Sequence, residues 1–596
     1  MQKLFEKNIK YFYTHLPSYY ELIKNLKTRN FYLKEDNLFD SNHRPIYNTS
    51  ITEDSQKFAF FPTHNPLWEK KFFYVEPNKW DEKEFYITGK IINKLIKKAS
   101  SFSSYTKEGF YFDKNFLPTT AVFGLLAGKH LDLLVDNFEF QSLFVYEPNP
   151  EFFAISLYYV DYEKIYNKIG DRFFLWVNGY LDYFAIEKFY FERKVTSSFL
   201  TLTLTTYNHP LIEDAKNKFE EVRVSKLRGW GTYEDEMKGV KNYVKNFNKY
   251  PLLTSSKDIK VPICVVANGK SLEKNMEFIK ENKDSMIIVS VGTALKPLLK
   301  EGIESDFHIE QERIDILVEA LKDVLPSYNG IFVGANVVNK NVFKMAKNPH
   351  MYNREGFSLS NKFILHGSSP LVGNAGFSFA ANFTREIYLC GMDLGFRLNQ
   401  KKHASGSFYD DKKDVETSGI KVKGNFSDDI YTNSLFLTSK KNIEQLIKFM
   451  KLKVYNLSDG VYIEGSEPLE FTKLPKIDKS KAIDEILSCF SDKELELPKL
   501  EILEILLKVK NVLSKKVKNK KELTGLIDFL DNKINELYKT NPNEVFLLRG
   551  SLFHILNNLY ILSHKVNLKE YEKLVEIIRI QISEYYKNFK KMYKKC

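Results

Sequence analysis

The chain has 596 residues, 43% of them apolar and 28% charged, which is ample for several packed cores and unlike a disordered chain. Its 88 Lys and Arg outnumber its 76 Asp and Glu, giving a net charge of +12, but the excess is diffuse and gathers near the C-terminus. With no nucleic-acid motif beside it, that charge reads as solvated helix face, and nucleic acid is set aside as a partner. The four cysteines, Cys264, Cys390, Cys489 and Cys596, form no CxxC pair and imply neither zinc nor disulfides. The N-terminal stretch lacks an apolar core, and no run approaches the ~18 apolar residues of a membrane span. The expectation is a cytoplasmic protein with no membrane span.

In chain order, residues 1–45 open with an amphipathic helix carrying Ile9, Phe12, Leu16, Tyr20 and Ile23. Short aromatic strands and turns are expected around Tyr47, Phe58 to Phe61 and Phe72 to Val75. From Phe116 to Leu157 the sequence reads turn, helix, strand, turn, helix. Leu143 to Tyr146 form the strand, Glu147 ends it, and Pro150 takes the first helical turn. An acidic residue ending a strand resembles a ribose-binding position, but the glycines here, Gly124 and Gly128, make no fingerprint. A structural Rossmann-like module near 110–175 is the better reading.

After helices over 210–250 and a Pro/Ser/Thr connector, strands and helices alternate. Strands are predicted at Val261–Val266, Met286–Val291, Phe307–Ile309, Ile331–Val333, Phe363–Leu365 and Ile387–Cys390, with a last one opening at Val454. Such alternation predicts an α/β domain with a doubly wound, mainly parallel, Rossmann-like sheet, whose ligands bind beyond the strands' carboxyl ends. Polar residues collect at that edge: Asn268, Gly269, Lys270 and Ser271; Gly292 and Thr293; Glu310 and Glu312; Ser368, Gly373 and Asn374; and Asp393. In the first group a turn tolerant of positive φ leads to Ser271, a predicted N-cap, and would aim free backbone N–H groups and a helix N-terminus at a phosphate. Beyond Asp393 lies a polar excursion, Gly395 to Asn433, that holds His403 and Tyr409; loops longer than roughly 15 residues are commonly functional lids. Its Asp410-Asp411 and Asp428-Asp429 pairs could bind a divalent cation, Mg or Mn, but paired acids in a charged loop are usually solvated, and no metal ligand is assigned. From 473 onward the pattern is helix after helix, an all-α C-terminal domain. The expected layout is an α/β N-terminal domain over 1–210, the central domain over 211–472 and the helical domain over 473–596.

The run ANGKSLEKNMEFIKENKDSMIIVSVGTALKPLLKEGIESDFHIEQE resembles the motility accessory factor family, as do GSSPLVGNAGFSFAANFTREIYLCGMDLGF, HASGS and the earlier VYEPNPEFF. The family's central domain is similar to hydroxymethylpterin diphosphokinases and to bacterial sialyltransferases with an N-G-x-S-L turn. That turn is Asn268-Gly269-Lys270-Ser271-Leu272 here, with Lys270 where the family usually has Pro. The resemblance implies transfer of a nonulosonic acid, pseudaminic or legionaminic acid, from its CMP-activated form to Ser or Thr of flagellin, in support of flagellum assembly and motility. No cofactor is firmly implied.

On that reading Asn268, Gly269, Lys270, Ser271, Gly292, Thr293, Ser368, Gly373 and Asn374 bind the nucleotide-sugar. Asp393, Glu310, Glu312 and His403 are the candidates for the catalytic base. His308 and His366 read as core or rim histidines. Two other readings stay open: a pterin-type diphosphokinase using ATP and Mg, and a non-catalytic flagellin-binding chaperone.

Overall fold

The computed structural model describes residues 1–27, 29–73, 80–192, 195–227, 230–357, 359, 363–409, 414–491, 502–515 and 517–593. Leu500, Cys596, the Asp410-Asp411 pair and Val75 lie outside the described residues. The protein is a mixed α/β chain with parallel sheets and a helical C-terminal region, as the alternation implied. It folds as two compact units, residues 1–233 with 501–596, and residues 234–500.

In the first unit five strands build one sheet: β1 (Trp68–Phe72), β2 (Thr119–Phe123), β3 (Leu143–Glu147), β4 (Phe173–Val177) and β5 (Leu200–Thr205), in the order β1-β5-β2-β3-β4. All neighbours are parallel except β1 against β5. Successive residues point to opposite faces, and both faces are buried. Val122, Val145, Leu202 and Leu204 join one core cluster, while Ala121, Phe123, Phe144 and Tyr146 join another. β2 was not anticipated, because Thr-Thr-Ala-Val-Phe is a short run between Pro118 and Gly124, in a stretch expected to be turn and helix.

The first helix is broken in two. Gln2–His15 and Pro17–Lys24 meet at Leu16, where Pro17 sits at a helix start and cannot continue the preceding helix. Phe58 lies in a helix, Ile51–Ala59, rather than in a strand or turn, because Ser50 caps it by accepting from the Glu53 N–H at 3.1 Å.

Glu147, fully buried, ties this unit together. Its carboxylate accepts from the Leu125 N–H (2.6 Å), the Asn149 N–H (2.8 Å) and the Tyr207 hydroxyl (2.6 Å). Burial pushes its pKa up to about 7, against the pull of these bonds. Glu147→Ala would leave three donors without an acceptor, and a loss of at least about 2 kcal/mol is expected. Calorimetry should show a lowered unfolding midpoint for Glu147→Ala.

In the second unit the strands of the large sheet are β6 (Leu252–Leu253), β7 (Ile263–Val266), β8 (Ile287–Val291), β9 (Phe307–Glu310), β10 (Ile331–Ala335), β11 (Asn348–Arg354), β12 (Ile364–Leu365), β13 (Glu386–Cys390), β14 (Lys453–Asn456), β15 (Ser466–Pro468) and β16 (Phe490–Ser491). The order is β15-β14-β13-β7-β8-β9-β10-β11-β6-β16, with β12 beside β11, and only β6 against β16 is antiparallel. β7 starts at the centre. The chain first builds outward through β8 to β11, then crosses back to lay β13 on the other side of β7.

Both faces of that centre are covered. Cys264, Val266 and Ile288 pack with Leu272, Phe278 and Ile279 of the Leu272–Asn282 helix. On the opposite face Gly376, in the Val372–Phe383 helix, lets backbone approach Val291 so closely that a Cβ would sit 2.3 Å from its Cγ1. Cys264 and Cys390, Sγ atoms 3.7 Å apart, are buried free thiols.

The C-terminal helices Ile502–Leu513, Lys520–Thr540, Pro542–Lys565 and Leu568–Tyr593 belong to the first unit. Pro542–Lys565 is long and apolar enough to cross a membrane, a stretch the sequence reading passed over. However, 83% of its most apolar window is buried inside the protein, as in a core helix. Polar groups lie inside this bundle too: buried Lys565 donates to the carbonyls of Lys107 (2.8 Å) and Gly109 (3.1 Å).

Candidate active site

A cleft of about 360 Å³ opens beyond the carboxyl ends of β7, β8, β9 and β13, where the strand order reverses direction. Ligands of open parallel sheets bind at such a reversal. Asn268 and Gly269 enter it after β7, Gly292 and Thr293 after β8, and Glu310 and Glu312 at the end of β9. Gly373 comes from the start of the Val372–Phe383 helix, Asp393 from the loop after β13, and His403 from the excursion.

The turn after β7 differs in detail from its expected form. Neither Asn268 nor Gly269 adopts positive φ. Gly269 is required by close approach instead: a Cβ there would lie 2.5 Å from the Asp393 carboxyl and 2.6 Å from the Gly391 carbonyl oxygen. The backbone N–H groups that were expected to face a phosphate are already bonded. Gly269 donates to Gly391 O (2.8 Å), Lys270 to Lys402 O (2.9 Å) and Ser271 to Asp393 Oδ2 (3.0 Å). Ser271 does not cap its helix; its hydroxyl donates to Asp393 Oδ1. The carboxylate of Asp393 thus occupies the place at this helix N-terminus where an anion would sit.

Asp393 is buried, and burial raises its pKa to about 6. The bonds from Ser271 act the other way, Asp459 adds to the rise and Arg397 opposes it. Arg397 in turn pairs with Asp429 and Asp459, each at 3.1 Å. That places Asp429 in an ion pair; no group of three or more His, Cys, Asp or Glu suited to a metal occurs among the described residues.

On the cleft floor the Asn268 Nδ2 donates to Thr293 Oγ1 at 2.7 Å, while Asn268 Oδ1 is buried without a partner. Thr293 therefore keeps its own hydroxyl proton for a ligand. Glu310 is 1% exposed, and its Oε1 makes no hydrogen bond; His308 Nε2 lies 3.4 Å away in unsuitable geometry. His308 is a core residue whose Nδ1 meets Ser290 Oγ at 2.9 Å. Burial raises the pKa of Glu312, with Arg354 the main opposing charge.

His403 is held by Asp414, whose Oδ1 lies 2.8 Å from the ring Nδ1 and whose Oδ2 accepts from the His403 backbone N–H at 2.9 Å. Burial lowers the pKa of His403, and the Asp414 carboxylate opposes that. The Tyr409 ring stacks on it, centroids 4.2 Å apart. The strand-like bridge of Gly269 with His403, and the bond from the Ala404 N–H to Asn268 O at 3.1 Å, stitch this loop to the turn after β7.

Four residues of the expected nucleotide-sugar set do not line the cleft. Lys270 points outward and pairs with Glu273 at 2.7 Å. Ser271 is engaged with Asp393. Ser368 is fully buried. Asn374 is buried and joins two helices, donating to Ser439 O at 2.9 Å and accepting from the Leu371 N–H at 3.2 Å. His366 is an exposed rim residue. Asp414 was missed: it lies in a charged loop, eleven positions from His403, where no periodicity marks it.

Residues 4–222 match the family model for the glycosyltransferase Maf N-terminal domain, and residues 237–399 match that for 6-hydroxymethylpterin diphosphokinase MptE-like proteins. Among solved structures the chain is similar to the MAf glycosyltransferase from Magnetospirillum magneticum AMB-1. The TM-score is 0.70 and the identity 21%, over 98% of this chain and 95% of that one. No curated protein sequence matches the chain. An N-terminal Maf domain followed by an MptE-like domain that carries the turn after β7 and the Asp393 loop is the arrangement its sequence motifs implied, and residues 4–222 belong to the Maf glycosyltransferase N-terminal domain family.

Proposed function

We propose that this chain is a protein O-glycosyltransferase that moves a nonulosonic acid, pseudaminic or legionaminic acid, from its CMP-activated form to Ser or Thr hydroxyls of flagellin. The observation that carries the proposal is the meeting, at the point where the order of the parallel sheet reverses, of a carboxylate-held histidine with uncharged donors and a buried carboxylate whose Oε1 makes no hydrogen bond. The His403 Nε2 takes the proton of the acceptor hydroxyl. The hydroxyl oxygen bonds to the anomeric carbon of the sugar. The bond from that carbon to the phosphate oxygen breaks, and CMP leaves with the electron pair. Thr293, with its hydroxyl proton free, is the donor we assign to the departing phosphate. Glu310 Oε1, buried and without a hydrogen bond, suits a hydroxyl or amine of the donor. The reaction is assigned to the cytoplasm, where Cys264, Cys390 and Cys489 stay reduced.

The MptE-like match raises the second reading, diphosphate transfer from ATP. Against it, Lys402 is the only Lys or Arg lining the cleft among the described residues, and its ammonium pairs with Glu416 at 2.7 Å. Three carboxylates face the same space. A triphosphate would meet far more repulsion there than a CMP ester with one phosphate.

The test is release of CMP from the CMP-sugar in the presence of flagellin. Asn268→Ala removes the bond that orients Thr293 and should slow release about 10- to 100-fold. Acceptor-independent release at the background rate, with ATP consumed on a pterin substrate instead, would replace this reading by the second.

A further inference from the structure

The chemistry above needs a histidine that is not merely near the acceptor but presented in one protonation pattern. A neutral imidazole has two tautomers, and only the one with a lone pair on Nε2 can take a proton from the cleft side if Nδ1 faces away. The contacts of His403 choose between them. Asp414, 5% exposed, is an acceptor-only group when ionised. One of its oxygens holds the backbone N–H of His403, which fixes the carboxylate, and the other stands 2.8 Å from Nδ1.

Lys402 Nζ lies 3.9 Å from the same oxygen, and its direct partner is Glu416 at 2.7 Å. The Tyr409 stack, 17° from parallel, fixes the ring plane. Asp414 itself is not on the cleft lining, so it meets no substrate.

We propose that Asp414 is a positioning residue for the transfer reaction: it holds His403 as the Nδ1–H tautomer and leaves the Nε2 lone pair to accept the hydroxyl proton. The proposal rests on His403 being the base of the transferase reading. Charge matters as well as geometry. As His403 gains its proton, the Asp414 carboxylate sits beside the new cation and stabilises it; Lys402, paired with Glu416, lies behind that carboxylate, and Tyr409, Glu310, Glu312 and Asp393 are the titratable groups that share the cleft with the ring.

The decisive variant is Asp414→Asn in the full chain. Its amide keeps the bond to the His403 backbone N–H but can present NH₂ to Nδ1, which allows the opposite tautomer. The expected result is a fall in kcat of about 10²- to 10⁴-fold with the donor KM within about twofold. Asp414→Glu should recover part of it, and His403→Ala with Asp414→Asn should be no slower than His403→Ala alone. The acid limb of the pH–rate profile should move to lower pH in Asp414→Asn, since the carboxylate that supports the imidazolium is gone.

Independently of turnover, ¹⁵N spectra of His-labelled protein, assigned with His403→Gln, should show Nδ1–H and bare Nε2 in the wild type and lose that pattern in Asp414→Asn. An Nε2–H tautomer in the wild type, or an unchanged kcat in Asp414→Asn, overturns the proposal. A wild type that shows Nδ1–H yet transfers nothing to any acceptor removes the transferase reading and the positioning role with it, while leaving the tautomer assignment standing.

Discussion

Replacing Asp393 by Asn raises the unfolding midpoint of the protein at pH 8 and leaves it nearly unchanged at pH 4. Asp393 has a folded pKa of about 6 against an ordinary value of 3.8, so the folded state binds a proton more tightly than the unfolded one. Stability therefore falls as pH rises from about 4 to 6, and the charged carboxylate remains a liability above that window. Two pKa units correspond to at most about 3 kcal/mol. Asn resembles the protonated acid: its oxygen accepts the Ser271 N–H at no charge cost, and its NH₂ can donate to the Ser271 oxygen. A gain of stability at high pH with loss of transfer would be the signature of a strained carboxylate retained for function. Scanning calorimetry at pH 4, 6 and 8 checks it; a midpoint at pH 8 equal to or below that of the wild type rejects the assignment of burial as the dominant influence on Asp393.

Gly269→Ala should have the larger effect on activity. The added methyl would meet the Asp393 carboxyl at 2.5 Å and the Gly391 carbonyl at 2.6 Å, so backbone must move rather than a flexible side-chain end. The turn after β7, the Asp393 loop and the His403 loop are bonded to one another at this point, and displacing one displaces all three. Overpacking of this kind costs about 1–3 kcal/mol, and misplacing reacting groups by an ångström lowers rates about a hundredfold. A lowered midpoint together with a collapse of kcat is expected. Normal turnover in Gly269→Ala would show that the three loops are not fixed to each other.

Much of the central sheet is legible in the sequence because strands buried on both faces must be continuously apolar. Ile263–Val266, Ile287–Val291 and Glu386–Cys390 lie within or beside the runs that predicted them. β11 was not, because Asn-Pro-His-Met-Tyr-Asn-Arg has no apolar run; it is a strand by virtue of backbone pairing with β10 and β6. The residues that end the central strands were legible for the same reason the strands were, since small and polar groups follow each apolar run at the edge where ligands bind. Their interactions were not. Gly269 was read as a conformational glycine and is a packing one. Ser271 was read as a cap, but its backbone is already helical, φ −65° and ψ −13°, rather than extended as a cap requires, and its hydroxyl turns to the Asp393 carboxylate. Asp414 meets His403 only through the folding of a long loop, which local pattern cannot encode.

The most direct test of the central claim is the intact mass of flagellin after incubation with this protein and CMP-pseudaminic or CMP-legionaminic acid. A gain of one or more sugar residues, lost in His403→Ala and strongly reduced in Asn268→Ala, is the result predicted here. Flagellin that binds the protein stably but keeps its mass with both donors would contradict the transferase assignment and leave a docking role in its place.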